Sequence, residues 1–186
     1  MNNPLVSVVI TTKNSSRTIQ KCLKSIKNQN YENIELLVVD NNSTDSTKEI
    51  ANKFTSNVFN LGPERSAQRN FGVKKSKGSC VLVHDSDIYF HLNSVKECVE
   101  VCEKENCDAV ILPEKSIGEG FWTKVKAFER SFYVGNDYIE AARFFRKDIF
   151  DLLKIADDFN LIISIETNGT LINNDMVKKL KKLRNL

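Results

Sequence analysis

Val6-Ser7-Val8-Val9-Ile10-Thr11, followed by the polar Thr12-Lys13-Asn14-Ser15 and then by apolar residues at Ile19, Cys22, Leu23 and Ile26, decides how this chain is read. A near-continuous β-branched run is the pattern of a parallel strand buried on both faces. The spacing i, i+3, i+4, i+7 behind it predicts an amphipathic helix over 16–28, with Ser16 placed to cap its start. Ile34 to Val39 is a second apolar strand. Ser43 to Phe54 is a second helix, whose Ser46 and Glu49 match the spacing of a capping box.

Working outward, Ser66 to Lys75 predicts a helix stopped at Lys77-Gly78, and Cys80 to His84 a third buried strand. Leu92 to Glu105 and Ala109 to Leu112 continue the alternation. It implies an α/β fold, a doubly wound and mostly parallel sheet of Rossmann-like type, with right-handed crossovers and helices on both faces. Ligands of such sheets bind beyond the carboxyl ends of the strands, so the residues after Ile10, Val39 and Val83 are where chemistry is expected.

Composition narrows the class. A chain of 186 residues with 41% hydrophobic and 27% charged residues has the size of one domain with a real core. Twenty-seven Lys and Arg against 24 Asp and Glu leave a net charge of +3, too balanced for a polybasic arm, so no nucleic-acid partner is expected. Seven Gly and three Pro exclude collagen-like and linker-dominated chains. Five cysteines, an odd number set within helical or strand patterns, fit a reducing cytoplasm better than a secreted disulfide framework. Met1-Asn2-Asn3-Pro4 lacks a signal-peptide pattern, and no window approaches the ~20 apolar residues of a membrane span. Any membrane contact is therefore expected to be peripheral, at the inner face, or to lie in a part outside this chain.

The strand ends carry Thr11-Thr12-Lys13-Asn14, Asp40-Asn41-Asn42-Ser43-Thr44-Asp45 and His84-Asp85-Ser86-Asp87. Two carboxylates spaced D-x-D after a buried strand repel unless a cation screens them, and hard ions such as Mg²⁺ or Mn²⁺ take oxygen ligands of this kind. A metal-bound phosphate ligand follows; turn capping by Asp85 and Asp87 is the plainer alternative.

Before the third strand stands Asn60-Leu61-Gly62-Pro63-Glu64-Arg65-Ser66-Ala67-Gln68-Arg69-Asn70-Phe71-Gly72. This run, the 6–14 and 37–45 segments and His84-Asp85-Ser86-Asp87 together resemble family 2 glycosyltransferases of the GT-A fold. Four motifs in order over about residues 5–112 carry the likeness. It implies a nucleotide-sugar-binding domain over 1–150, with a βα extension over 151–186. By the same resemblance Thr11, Thr12 and Asn14 line the nucleotide pocket, Asp40 bonds the base and Arg69 faces the nucleotide-sugar. Asp85 sits near the ribose or metal, and Asp87 is the principal metal ligand. The implied reaction is inverting, metal-dependent transfer from a UDP- or GDP-linked sugar to an acceptor of unknown kind, such as a cell envelope polysaccharide, a lipid-linked sugar or a protein. A binding module without turnover is the rival. For Asp45 turn and cap chemistry is the better reading.

Glu140 to Phe150 resembles the family's acceptor-side strand, but the Gly-Gly-Phe turn and acidic pair that follow it in the family are missing. Asp157 and Asp158 are the nearest candidates for the general base. Asn160 to Ile172, with Thr167-Asn168-Gly169-Thr170, looks like one βα unit of a radical SAM barrel, though the three-cysteine cluster motif is absent. Cys98, Cys102 and Cys107 read as buried small hydrophobes, and His84 and His91 as packed histidines. Phe121, Trp122, Val125, Phe128 and Phe132 recur at helical spacing with Lys124, Lys126 and Arg130 between them. Such a stripe is most often a core face; its basic aromatic pattern also suits a lipid surface. The last helical pattern, 173–183, has a basic face whose default reading is a solvated surface and whose sharper one is peripheral attachment to anionic lipid.

Overall fold

The computed structural model describes residues 3–132 and 142–149. Its elements are β1 (Val6–Thr12), α1 (Ile19–Lys27), β2 (Ile34–Asp40), α2 (Thr47–Asn52), β3 (Val58–Asn60) and α3 (Arg65–Lys75). They continue with β4 (Cys80–Asp85), α4 (Ser94–Lys104), β5 (Ala109–Ile111), α5 (Phe121–Ser131) and β6 (Ala142–Arg146). One six-stranded sheet has the order β3-β2-β1-β4-β6-β5. β1 lies at its centre, parallel to both neighbours, with Val8 opposite Leu36 on one side and Leu82 on the other.

Alternation along each strand sorts the core into two layers. Val6, Val8 and Ile10 of β1, with Leu36, Val38, Cys80 and Leu82, meet Ile19, Cys22, Leu23 and Ile26 of α1, Ala51 of α2 and Val95, Cys98, Val99 and Cys102 of α4. Val9, Leu37, Val39, Val81 and Val83 face the other way, against Val73 of α3. The chain runs from β1 outward to β3 and then returns across the sheet to β4. That reversal puts α3 on the opposite face from α1 and α2. Gly72 permits the close seat: a Cβ there would lie 2.2 Å from Val9 Cγ1.

The doubly wound sheet stands as expected, with local corrections. Ser16 does not cap α1. The helix begins at Ile19 behind Thr18, which makes no side-chain cap bond, and the N–H groups of Thr18 and Ile19 donate to the Ser15 carbonyl at 3.0 and 2.9 Å. Ser46 precedes α2 without a side-chain cap bond; Asp45 takes over, accepting from the Thr47 N–H at 3.0 Å. Gly78 is no left-handed helix stop. A Cβ there would meet the Leu5 carbonyl oxygen at 2.5 Å and Ser7 N at 2.7 Å, so close approach to β1 requires the glycine.

The three-residue edge strand β3 gives too short a pattern to be seen in advance. Strand and helix go on alternating past β4, but parallel pairing ends there: β6 inserts antiparallel between β4 and β5, with Leu82 opposite Phe144 and Val110 opposite Phe144 from the other side. Residues 151–186, and with them Asp157, Asp158, the 160–172 stretch and the last helical pattern, lie outside the described residues. Among the described residues no helix is long and apolar enough to cross a membrane.

Candidate functional site

β1 is where strand order turns, leading to β2 on one side and flanked by β4 on the other, and the loops leaving such a point open a crevice. The loops after β1 and β2 are held together by polar contacts. Asn14, with φ 48°, donates its backbone N–H to Ser43 Oγ at 2.8 Å, while its own Oδ1 accepts from the Thr44 N–H at 2.9 Å. The Ser15 N–H donates to Thr47 Oγ1 at 2.8 Å and the Ser16 N–H to Asp45 Oδ2 at 3.1 Å. The Thr47 hydroxyl, with the other bonds from Thr47 and Ser16, holds the Asp45 carboxyl down at about 2. Asp45 is thus a turn and cap residue.

Asp40 closes β2 fully buried. Its Oδ2 accepts from the Ser43 N–H at 2.7 Å and its Oδ1 from the Ser43 hydroxyl. With its amide nitrogen turned toward this carboxylate, Asn60 donates to Oδ2 at 3.2 Å and accepts from Lys48 Nζ at 3.3 Å. Asp40 therefore arrives at the sheet edge in a fixed orientation.

Asp85, the last residue of β4, gathers the other side. The Thr11 hydroxyl donates to its Oδ1 at 2.8 Å, Arg69 Nη2 reaches Oδ1 at 3.2 Å, and Arg65 Nη1 lies 3.6 Å from Oδ2. Burial pushes the Asp85 carboxyl up, but the Thr11 bond and the two guanidiniums outweigh it and hold it below the usual carboxylate range. Two buried polar atoms here have no hydrogen-bond partner among the described residues: Thr12 Oγ1 and Arg69 Nε. A ligand oxygen that reached either atom would satisfy it.

Asp87 stands exposed in the turn after β4. Among the described residues no group of three or more His, Cys, Asp or Glu side chains converges as a metal cage. Asp85 and Asp87 instead offer hard carboxylate oxygens at one edge. Their negative field is felt by Cys22, whose thiol is pushed up to about 12 by burial first and then by these two carboxylates. That donor set fits an ion held by one or two carboxylates, the rest of its shell coming from phosphates and water.

Three further residues were not foreseen. Gln68 is buried beneath the crevice, its Nε2 donating to the Thr12 carbonyl at 3.1 Å and the Val39 carbonyl at 2.7 Å, so that it ties the ends of β1 and β2 together. A polar residue facing the sheet from α3, between the recognised Ser66 and Arg69, was the available signal. Arg65 is reached only through the turn of α3. Asn41 carries the third contact, its Nδ2 donating to the Pro63 carbonyl at 2.6 Å, with Gly62 so close that a Cβ would lie 2.0 Å from Asn41 Oδ1. His84 is packed as expected. Its Nδ1 accepts the Asp85 N–H at 3.0 Å and Phe90 meets its ring edge-on at 5.3 Å. Burial pushes the ring down to about 4, against the opposing pull of Glu114.

The model of the family described as Glycosyl transferase family 2 matches residues 7–163, most of the chain and all of this edge. The chain belongs to glycosyl transferase family 2. Glycosyltransferase AglE of Haloferax volcanii is 36% identical over 116 residues, 58% of this chain and 38% of AglE. This family 2 chain thus matches well under half of that relative's length. Staphylococcus aureus TarS 1–349 in complex with UDP-GlcNAc superposes with a TM-score of 0.63 at 24% identity, over 82% of this chain and 47% of that one. The mannosyltransferase PcManGT of Pyrobaculum calidifontis, in complex with GDP-Man and Mn²⁺, gives 0.62 at 19% identity, over 82% and 47%. Likeness at these identities is likeness of fold, and the sheet described above is the GT-A fold. The radical SAM resemblance of 160–172 finds no support, and the family 2 match itself runs into that stretch, to residue 163.

Proposed function

We propose that this chain carries the donor-binding half of a glycosyltransferase that moves a sugar from a nucleotide-diphosphate sugar to an acceptor hydroxyl. The observation that carries this is the meeting of Thr11, Asp40, Arg69 and Asp85 at the ends of β1, β2 and β4, with Thr12 Oγ1 and Arg69 Nε buried and unpartnered beside them. Asp40, held by Ser43, is oriented to accept from the base, and Thr11, Thr12 and Asn14 form the nucleotide wall. Arg69, with Arg65 next to it, supplies positive charge for the diphosphate. Asp85 and Asp87 would hold Mg²⁺ or Mn²⁺. Such an ion neutralises charge on the departing diphosphate. Family neighbours with UDP-GlcNAc and with GDP-Man and Mn²⁺ at the same fold support this reading.

In the proposed inverting transfer the acceptor oxygen bonds to the anomeric carbon as its bond to the diphosphate oxygen breaks. The nucleoside diphosphate leaves with that electron pair, and the acceptor proton passes to a base. Asp157 and Asp158 are the candidates for that base. We place the chain in the cytoplasm, with residues 151–186 as an extension of the 1–150 domain. The short span relative to AglE favours a second reading, a non-catalytic nucleotide-sugar-binding module or a truncated glycosyltransferase that lacks its general base.

Calorimetric titration of UDP and of GDP, with and without Mn²⁺, tests the donor site. Metal-dependent binding of one nucleotide, lost in Asp87→Ala, is expected; absence of binding by either nucleotide would sink the reading. Release of nucleoside diphosphate from a bound nucleotide-sugar separates transferase from binding module.

A further inference from the structure

α5 is built unlike the other helices among the described residues. Phe121, Val125, Phe128 and Phe132, at i, i+4, i+7 and i+11, form one stripe, and none faces a core. Phe121 is 71% exposed, Trp122 77%, Phe128 67% and Phe132 65%, and Ile117 just ahead of the helix is 79% exposed. The rings touch one another instead, Phe121 on Trp122 at 5.4 Å and Phe128 on Phe132 at 4.8 Å between centroids, both edge-on. The stripe expected as a core face is therefore a contiguous exposed patch among the described residues. Patches of this kind mark interaction surfaces, whereas singly scattered apolar residues do not.

Charge selects the occupant. Lys124 flanks the stripe on α5, Lys126 lies beyond Trp122 and Lys115 precedes the helix; with Arg130, and against Glu119 and Glu129, the stretch 115–131 carries an excess of two positive charges. An apolar aromatic face bordered by lysines is the pattern of a helix lying in a bilayer interface, rings among the acyl chains and ammonium groups at the headgroups. The remaining apolar helical pattern of the chain, 173–183, is itself basic through Lys178, Lys179, Lys181 and Lys182. Like charge disfavours it as a cover for α5 and adds to the attraction toward an anionic surface. α5 also follows the donor edge. Glu114, between β5 and α5, lies 3.4 Å from Nε2 of His84, the residue before Asp85.

We infer that the aromatic face of α5 docks on an anionic lipid bilayer surface and brings the carboxyl edge of the sheet to the membrane interface. Trp122 is the single tryptophan of the chain, so its emission reports this helix alone. The full chain is mixed with vesicles of phosphatidylcholine and with vesicles of phosphatidylcholine and phosphatidylglycerol, without nucleotide, so that the outcome is independent of the donor site. Co-sedimentation and a blue shift of Trp122 emission are expected with the anionic vesicles only, weakening as salt rises. Phe128→Ser/Phe132→Ser should lower partitioning at least about tenfold with an unchanged melting midpoint, because both rings are already exposed. Lys178→Glu/Lys181→Glu should leave the Trp122 shift in place. Four results would each overturn the inference: no shift on anionic vesicles, equal binding to neutral ones, serine variants that bind like the parent, or a concentration-dependent blue shift without vesicles, which would assign the face to a second copy of the chain.

Discussion

The half of the molecule from β1 to β4 and the half from β5 to β6 solve the burial problem differently. In the first, β1, β2 and β4 are covered on both faces and the edge carboxylates find partners in the same stretch: Asp40 with Ser43, Asp85 with Thr11 and Arg69, Asp45 with Thr47. In the second, β5 has three residues, its partner β6 runs antiparallel, and α5 keeps its aromatic face in solvent. The half that carries the polar strand-end edge is thus self-sufficient, and the other half presents surface. A site whose polar groups are already held loses less freedom when a ligand binds, whereas a mobile surface pays that cost on contact.

Substitutions can break or sharpen that contrast. Leu82→Ala, at a fully buried position between α1, α4 and the sheet, should cost about 2–5 kcal/mol in chemical denaturation. A loss under about 1 kcal/mol would deny that the first half is the stable one. Gln68→Met removes the amide between two buried carbonyls and should cost about 1–3 kcal/mol, with weaker nucleotide binding in titration as the β1 and β2 ends loosen. Unchanged affinity would reduce Gln68 to packing.

Asp45→Asn tests the loop zipper through pH. The carboxyl titrates near 3.8 when free and near 2 in the fold, so its contribution is complete above about pH 4 and is lost as pH falls through that window. The parent melting midpoint should fall across it more steeply than that of the variant. Parallel curves would show that Asp45 is not held as described. Smallest of all, Phe128→Ser should change stability by less than about 0.5 kcal/mol in the absence of vesicles. A core-sized loss would mean that α5 is covered after all.

The contrast also marks where the residue pattern was legible. β1, β2 and β4 are fully buried parallel strands, whose β-branched runs show in any window, and α1 carries its stripe openly. The edge residues Thr11, Asp40, Asp85 and Arg69 could be named because each ends or follows such an element. Gln68, Arg65 and Asn41 could not be assigned, because their partners lie 20 to 56 residues away and no local spacing encodes those contacts. Capping was misplaced for the same reason: Ser16 and Ser46 have the right residue type, yet Asp45 reaches both Ser16 and Thr47 once the two loops meet.

By itself, the order of residues determined the alternation of strand and helix, the mostly parallel sheet, the family and the edge at which its polar motifs collect, because these depend on periodicity and on short-range chemistry. Only the tertiary structure decided that β6 enters antiparallel beside β4, that Gly72 and Gly78 serve close approach, that Gln68 underlies the crevice and that the α5 stripe faces outward. Each of those depends on which surfaces meet across long stretches of chain, and a hydrophobic period is the same whether its face meets a sheet or a membrane.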